Sequence, residues 1–383
     1  MRNTAASLPP RSPSVPRRAS EASLIMSTDP RSTHRGYTII ELMVAMTIGL
    51  VILAGLVTVF ANNSRARAEI ERFNQQTDNG RYAVRLLADD LHHAGYLAEL
   101  NPIGLPLAAA VTAKPDPCAT DAVSLTNDAL IPIQGYDVNN GVAAPTCVSA
   151  PTVTDLKPGT DILVVRRASS CVAGAAGCDP VVAGAAYLQA STCSTDIQAG
   201  NSYKIDTNTA NLTLQKAVVG ACAASAPLRQ YRTHIYFIAL NDKPGDGIPT
   251  LKRAELGAVG AGAVGFNIVP LVEGIENLQI EYGLDTSVPT TGAPAVYSAD
   301  PDHYSACAPL TCVSYWQNTV AAKLYVLARS TTQTPGYVDG KQYTLGLTAA
   351  GAANTVGPYN DGFKRHLYQS VVTLNNGAGR NTP

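Results

Sequence analysis

Charge is scarce in this chain: of 383 residues only 15% are Asp, Glu, Lys or Arg, while 46% are hydrophobic. That balance is low for a soluble enzyme and predicts apolar weight concentrated in one part of the sequence. Cysteine is missing from the first 117 residues. The eight beyond them (Cys118, Cys147, Cys171, Cys178, Cys193, Cys222, Cys307 and Cys312) stand at irregular spacings. With no CxxC pair and no Cys/His cluster, zinc has no ligand set, and no metal is expected. An even cysteine count instead fits disulfides formed in an oxidising compartment. All eight are candidates, with Cys171–Cys178 and Cys307–Cys312 as the preferred local pairs. Catalytic signatures are missing too: there is no HExxH, no GxSxG and no P-loop. The chain is therefore expected to have no catalytic residues and no cofactor, and to be no enzyme.

Three weak signals read better as structure than as chemistry. Gly260, Gly262 and Gly265 satisfy GxGxxG, but the next residues are FNIVPLVEG, a run with a proline and no helical period. A dinucleotide fingerprint needs a helix to start there, so a hairpin loop is expected. Asn241 to Gly247 (NDKPGDG) holds oxygen ligands but not the alternation of a calcium loop, and reads as a turn between strands. His92 and His93 are neighbours on a helix, point about 100° apart and make a poor metal pair.

The basic and acidic residues, 28 and 29 in all, are unevenly placed. Residues 1–36 carry six arginines (Arg2, Arg11, Arg17, Arg18, Arg31, Arg35) against Glu21 and Asp29, which leaves 22 basic and 27 acidic residues beyond them. A net charge of −5 on that remainder gives no global attraction for nucleic acid, and none is expected as a partner. Residues 1–25, rich in Pro, Ser, Ala and Arg, have no apolar periodicity and read as a mis-called, disordered extension, with Met26 as the expected start.

The apolar weight lies at Tyr37–Ala61, YTIIELMVAMTIGLVILAGLVTVFA, 25 residues with the single charge Glu41. As a helix this would extend about 37 Å, enough to cross a bilayer. A cleaved secretory signal would be shorter and would end in a small-x-small site, which is missing. Arginines are equally numerous on both sides, so charge bias does not orient the span. Just ahead of it stands Arg35-Gly36-Tyr37-Thr38-Ile39-Ile40-Glu41-Leu42. A carboxylate one turn into an apolar span is costly unless something partners it. Gly, an aromatic residue, Thr, two aliphatics and Glu in this order read as a prepilin cleavage and methylation site. Gly36 would be the last leader residue, Tyr37 the new amino terminus, and Glu41 the group that neutralises a neighbour's amine, with Thr38 alongside it in assembly.

No proline occurs between Tyr37 and Leu100, so one helix is expected to run on, with local melting left to Gly49 and Gly55. Past Ala61 an apolar path at 3- and 4-residue steps (Ile70, Phe73, Thr77, Gly80, Val84, Leu87, Leu91, Ala94) predicts an amphipathic half over 62–100, ended by Gly95 and Pro102. Beyond it come short alternating runs: Asp161–Ala168, Asn211–Ala217, Thr233–Leu240, Leu251–Leu256, Asn277–Tyr282, Thr319–Arg329 and His366–Leu374. These predict half-buried antiparallel strands. The fold class expected is α+β: a long N-terminal membrane-spanning helix packed on an antiparallel β-sheet head with disulfide-braced loops. Its parts would be a leader (1–36), the membrane half (37–61) and amphipathic half (62–100) of the helix, a loop-rich cysteine-bearing head region (101–230) and a β-rich region (231–383).

From residue 36 onward the chain resembles the PilW-type minor pilins of type IV pilus systems. The resemblance rests on the N-terminal motif, LLADDLHHAGYLAEL (86–100), RQYRTHIYFIAL, TLKRAEL, LVEGIENLQIEYG, YWQNTVAAKLYVLARS and FKRHLYQSVVTLNN, in this order. It implies a minor pilin that primes pilus assembly near the filament tip and supports motility and adhesion. The partners implied are other minor pilins, the major pilin, a prepilin peptidase, the inner membrane and a tip adhesin. The implied location is the inner membrane with a periplasmic head, then the surface pilus. A pseudopilin of a type II secretion system and a pilin-stemmed adhesin share the same stem and remain alternatives.

Overall fold

The computed structural model describes residues 36–138, 143–149, 153–260, 262–307 and 312–381. The residues before Gly36, and with them the rest of the expected leader and the expected start at Met26, lie outside the described residues. Two compact units divide the chain, Met1–Asn63 and Ser64–Pro383.

Helix α1 runs Ile39–His93 without a break and passes through both Gly49 and Gly55. In the first unit it carries 18-residue windows of mean hydropathy 2.6 with none of that surface buried. It is long and apolar enough to cross a membrane. The C-terminal end falls at His93 rather than Leu100. Gly95 adopts the left-handed φ of +72° and sends its N–H to Arg166 O at 2.8 Å, while Tyr96 N bonds back to His93 O at 3.1 Å. Glycine fits this position for two reasons: L-residues are strained there, and a Cβ would lie 3.0 Å from Pro132 Cβ.

The second unit adds four short helices and fifteen strands among the described residues. The helices are α2 (Ala122–Asp128), α3 (Ser194–Gln198), α4 (Cys312–Gln317) and α5 (Asn375–Asn381). The first strands are β1 (Ile133–Asp137), β2 (Asp161–Ala168), β3 (Tyr187–Ala190), β4 (Tyr203–Asp206), β5 (Gln215–Val218), β6 (Ala221–Ser225) and β7 (Arg229–Ala239). They continue with β8 (Thr250–Val259), β9 (Ala263–Glu273), β10 (Ile275–Leu284) and β11 (Val296–Ser298). The last are β12 (Thr319–Arg329), β13 (Tyr343–Leu347), β14 (Ala353–Val356) and β15 (Arg365–Thr373). One seven-stranded sheet is ordered β1-β2-β7-β3-β4, with β8 joining β7 to β9; a four-stranded sheet is ordered β11-β10-β12-β15; and β5–β6 and β13–β14 form separate hairpins. The described pairings are antiparallel, as expected for an α+β head.

The amphipathic part of α1 and both large sheets share a single core. Ala83, Leu87 and Leu91 of the helix meet Ile133, Leu163 and Tyr236 of the first sheet, and Leu278, Ile280 and Leu324 of the second. Every residue of β10 is buried, and Asp161 of β2 reaches across to accept from Ile280 N at 2.8 Å. The expected apolar path along the helix holds only in its second half. Ile70 and Phe73 are 61% and 58% exposed, and burial begins at Gln76, whose amide donates to Ala328 O at 2.9 Å and Lys364 O at 3.0 Å. Gly80 lies so close to the second sheet that a Cβ would sit 2.1 Å from a Tyr368 ring carbon.

Strands β2 and β12 coincide with their expected limits, whereas the 211–217 run begins as a 3-10 turn at Thr209–Asn211 and pairs only from Gln215. The region 101–230 holds more strand than its composition signalled: β1, β3, β4 and β6 were not expected. Four disulfides brace it and its neighbour: Cys118–Cys147, Cys171–Cys178, Cys193–Cys222 and Cys307–Cys312. The two local pairs preferred from sequence are among them. Each of the two long pairs spans 29 residues, a closure that stabilises by about 3–4 kcal/mol through the unfolded chain.

Candidate processing and assembly site

The start of α1 is built by four residues of the motif. Gly36 has no heavy atom within 4 Å of where a Cβ would be, and Tyr37 is 90% exposed, so the Gly36–Tyr37 bond lies open ahead of the helix. Thr38 is the residue before the first helical position and Glu41 stands three further on. The Thr38 hydroxyl accepts from Glu41 N at 3.2 Å, and Glu41 Oε2 accepts from Thr38 N at 2.9 Å and from the Thr38 hydroxyl at 3.0 Å. This reciprocal arrangement is a capping box, which satisfies backbone donors that have no partner inside the helix. The Thr-x-x-Glu spacing carries that signal in plain view, yet reading Glu41 only as a partner for another chain passes over it.

The geometry has an electrostatic consequence. In an apolar span a lone carboxylate is expensive, but here it sits at the positive end of the helix dipole with two donors from Thr38. Oε2 is the oxygen engaged; Oε1 has no hydrogen-bond partner among the described residues. Thr38→Val removes the acceptor of the Glu41 N–H while keeping the Thr38 N–H bond to Oε2, and should speed hydrogen exchange of the Glu41 amide in detergent about tenfold, the equivalent of about 1 kcal/mol. Thr38→Ser should restore slow exchange. An unchanged rate in Thr38→Val would show that the box does not hold the helix start.

The second unit contributes a site that helical phase alone could have flagged. Asp90 falls three residues after Leu87 on the buried face of α1, where an aspartate is out of place. Its Oδ1 takes Arg167 Nε at 2.6 Å; its Oδ2 takes His234 Nδ1 at 2.7 Å and Tyr236 OH at 2.8 Å. One carboxylate thus ties α1 to β2 and β7. Burial would raise the Asp90 carboxyl, but the hydrogen bond and charge of His234 and the Arg167 guanidinium hold it well below the usual carboxylate range.

The weak signals resolve as turns. Gly260 and Gly262 form the β8–β9 hairpin turn, and Gly265 pairs with Gly257 inside it. The Asp246 carboxylate accepts from the backbone of Asp242, Lys243 and Ile248 and so closes its own loop. His92 Nδ1 faces Thr373 O and His93 Nδ1 faces Asp89 O, so the two rings serve different partners. Among the described residues no group of three His, Cys, Asp or Glu could hold a metal ion.

Two family comparisons match this geometry. Residues 31–57, spanning the end of the expected leader and the capped first turns of α1, match the prokaryotic N-terminal methylation motif. Residues 235–376, from within β7 to the start of α5, match type IV pilus-assembly protein W. No curated protein and no solved structure matches the chain. A match to a methylation motif on an uncovered apolar helix, and a match to a pilus-assembly protein in the strands beyond it, are together consistent with a type IV pilus-related protein of the prepilin-like kind.

Proposed function

We propose that the chain is a minor pilin: it is cleaved between Gly36 and Tyr37, methylated at Tyr37, and built into a type IV pilus in a few copies at or near the tip, where it primes assembly. The observation that carries this reading is the pairing of the two matches on one chain, a methylation motif at the helix start and a pilus-assembly W head at the other end. The uncovered helix supports it, because that surface needs lipid before assembly and other stems after it. Before assembly the head would stand in the periplasm with the helix in the inner membrane. Its partners would be the prepilin peptidase, other minor pilins and the major pilin, and the role is structural rather than enzymatic. The W-type match favours a pilus over a type II secretion pseudopilus, which the stem alone does not distinguish.

The size of the head supports low abundance. The 283 residues after Leu100 make a large domain, with a radius of gyration of about 19 Å, and repeating that bulk at every subunit would crowd a narrow stem bundle. Quantitative mass spectrometry of sheared pili should find this chain far below the most abundant pilin, and its deletion should remove surface pili and twitching while secretion continues. Stoichiometry comparable to the major pilin would contradict the tip position, and loss of secretion with pili intact would move the chain to the rival system.

A further inference from the structure

We propose that the cleft where α1 meets strands β2, β7 and β8 is a binding site for a carboxylate-bearing ligand. This inference is independent of the assembly role. The cleft has a volume of about 360 Å³, room for a small acid or one acidic side chain with its flanking backbone. Arg85, Asp89 and Asp90 line it from the helix, and Arg167, Tyr236 and Arg253 line it from the three strands.

The floor of the cleft is a finished network. Asp90 takes Arg167 Nε at 2.6 Å and Tyr236 OH at 2.8 Å, and Arg253 Nη1 donates to the same Tyr236 oxygen at 3.2 Å. The Arg167 guanidinium directly, and that of Arg253 through the Tyr236 hydroxyl, are therefore tied to one carboxylate. The donors above the floor are unspent. Both amino groups of Arg167 lack a hydrogen-bond partner among the described residues, its Nε alone being engaged. Arg85 is 81% exposed at its side chain and meets Asp89 only at 3.8 Å. Arg253 is already neutralised by Glu255 through Nε and Nη2, so it acts as a wall rather than a ligand group.

A planar carboxylate matches two guanidinium forks, each offering paired N–H groups. A phosphate dianion suits the cleft less well, because Asp89 and Asp90 in its walls and Glu255 behind them repel a doubly charged ion twice as strongly. A free acid and an acidic side chain from another protein present the same chemistry here.

The test uses the full chain in detergent with its disulfides intact, titrated calorimetrically at matched ionic strength with the monoanions propionate and an N-acetylated, C-amidated Gly-Glu-Gly peptide, and with inorganic phosphate. Saturable binding of propionate or the peptide at about millimolar concentration, tighter than phosphate, is the expected result. Equal affinity for the two acids would assign the site to a free small acid; tighter binding of the peptide would assign it to a protein segment. Arg85→Glu and Arg85→Ala should each weaken binding about tenfold or more, the worth of a charge-assisted hydrogen bond, with an unchanged unfolding midpoint. Arg81→Glu makes the same charge change on the same helix outside the cleft and should leave affinity within about twofold. No saturation with either acid, equal or tighter phosphate binding, or equal weakening by Arg81→Glu would overturn the proposal.

Discussion

Glu41→Ala should be processed and inserted like the wild type, yet be recovered from sheared pili at a small fraction of the wild-type level. Insertion becomes easier when a charge is removed from an apolar span. Assembly becomes harder because the amine of a neighbouring stem, placed in an apolar bundle, loses the carboxylate that would neutralise it, a deficit of several kcal/mol, about 3 or more, for one unpaired charge. The capping box refines this expectation. Thr38 engages Oε2 on one side, so Oε1 is the oxygen left for an incoming amine. Glu41→Gln retains an acceptor for Thr38 but not the charge, and should assemble nearly as poorly as the alanine variant. Wild-type recovery of Glu41→Gln would show that capping, not charge pairing, is what this residue supplies.

Asp90→Ala should destabilise the second unit by about 3–5 kcal/mol, because removing one member of a buried, hydrogen-bonded charge group leaves the others uncompensated. The affected groups are the 3%-exposed side chain of His234, the Tyr236 hydroxyl and the Arg167 guanidinium. The measurement is the urea midpoint of the disulfide-intact chain in detergent, where a shift this large is easily read. The same carboxyl sets a pH dependence. Its folded pKa lies below its unfolded value, so its contribution is present above about pH 4 and is lost as pH falls from there towards the folded pKa. Asp90→Asn should therefore flatten the acid limb of the stability profile, and a limb as steep as in the wild type would assign the acid sensitivity to other carboxylates.

The parts of this structure that were legible in the sequence are those written in local periodicity. The apolar block at Tyr37–Ala61 announces a helix long and apolar enough to cross a membrane, and strands β2 and β12 alternate or run apolar long enough to fix their own limits. Strands β3 and β4 have four residues each, too few for a period to register. Strand β9 carries Pro270 and a glycine-rich start, which argue against a central strand. Among the described residues it pairs with β8 alone, where a missing ladder donor is tolerated. The long disulfides, Cys118–Cys147 and Cys193–Cys222, were not legible because eight cysteines allow 105 connectivities and only short loops favour themselves. Ile70 and Phe73 follow the helical period but sit on a face of α1 left exposed, while the head meets the same stretch through Glu69, which accepts from Thr334 at 3.1 Å and pairs with Lys364, so the period continued where the burial did not. Asp90 was obscured differently: beside Asp89 it looks like half of a solvated acidic pair, and only the strands packed on it show that it faces inward.

The central claim is that this chain is a prepilin-like substrate whose mature form begins at Tyr37. Mass spectrometry of the N-terminal peptide, from the membrane and from sheared pili of piliated cells, tests it most directly. The account predicts a peptide starting at Tyr37 with one added methyl group on its amine, and accumulation of uncut precursor when Gly36 is replaced by a bulky residue. A mature protein that still carries residues before Tyr37, or an unmethylated Tyr37 in assembled pili, would contradict it.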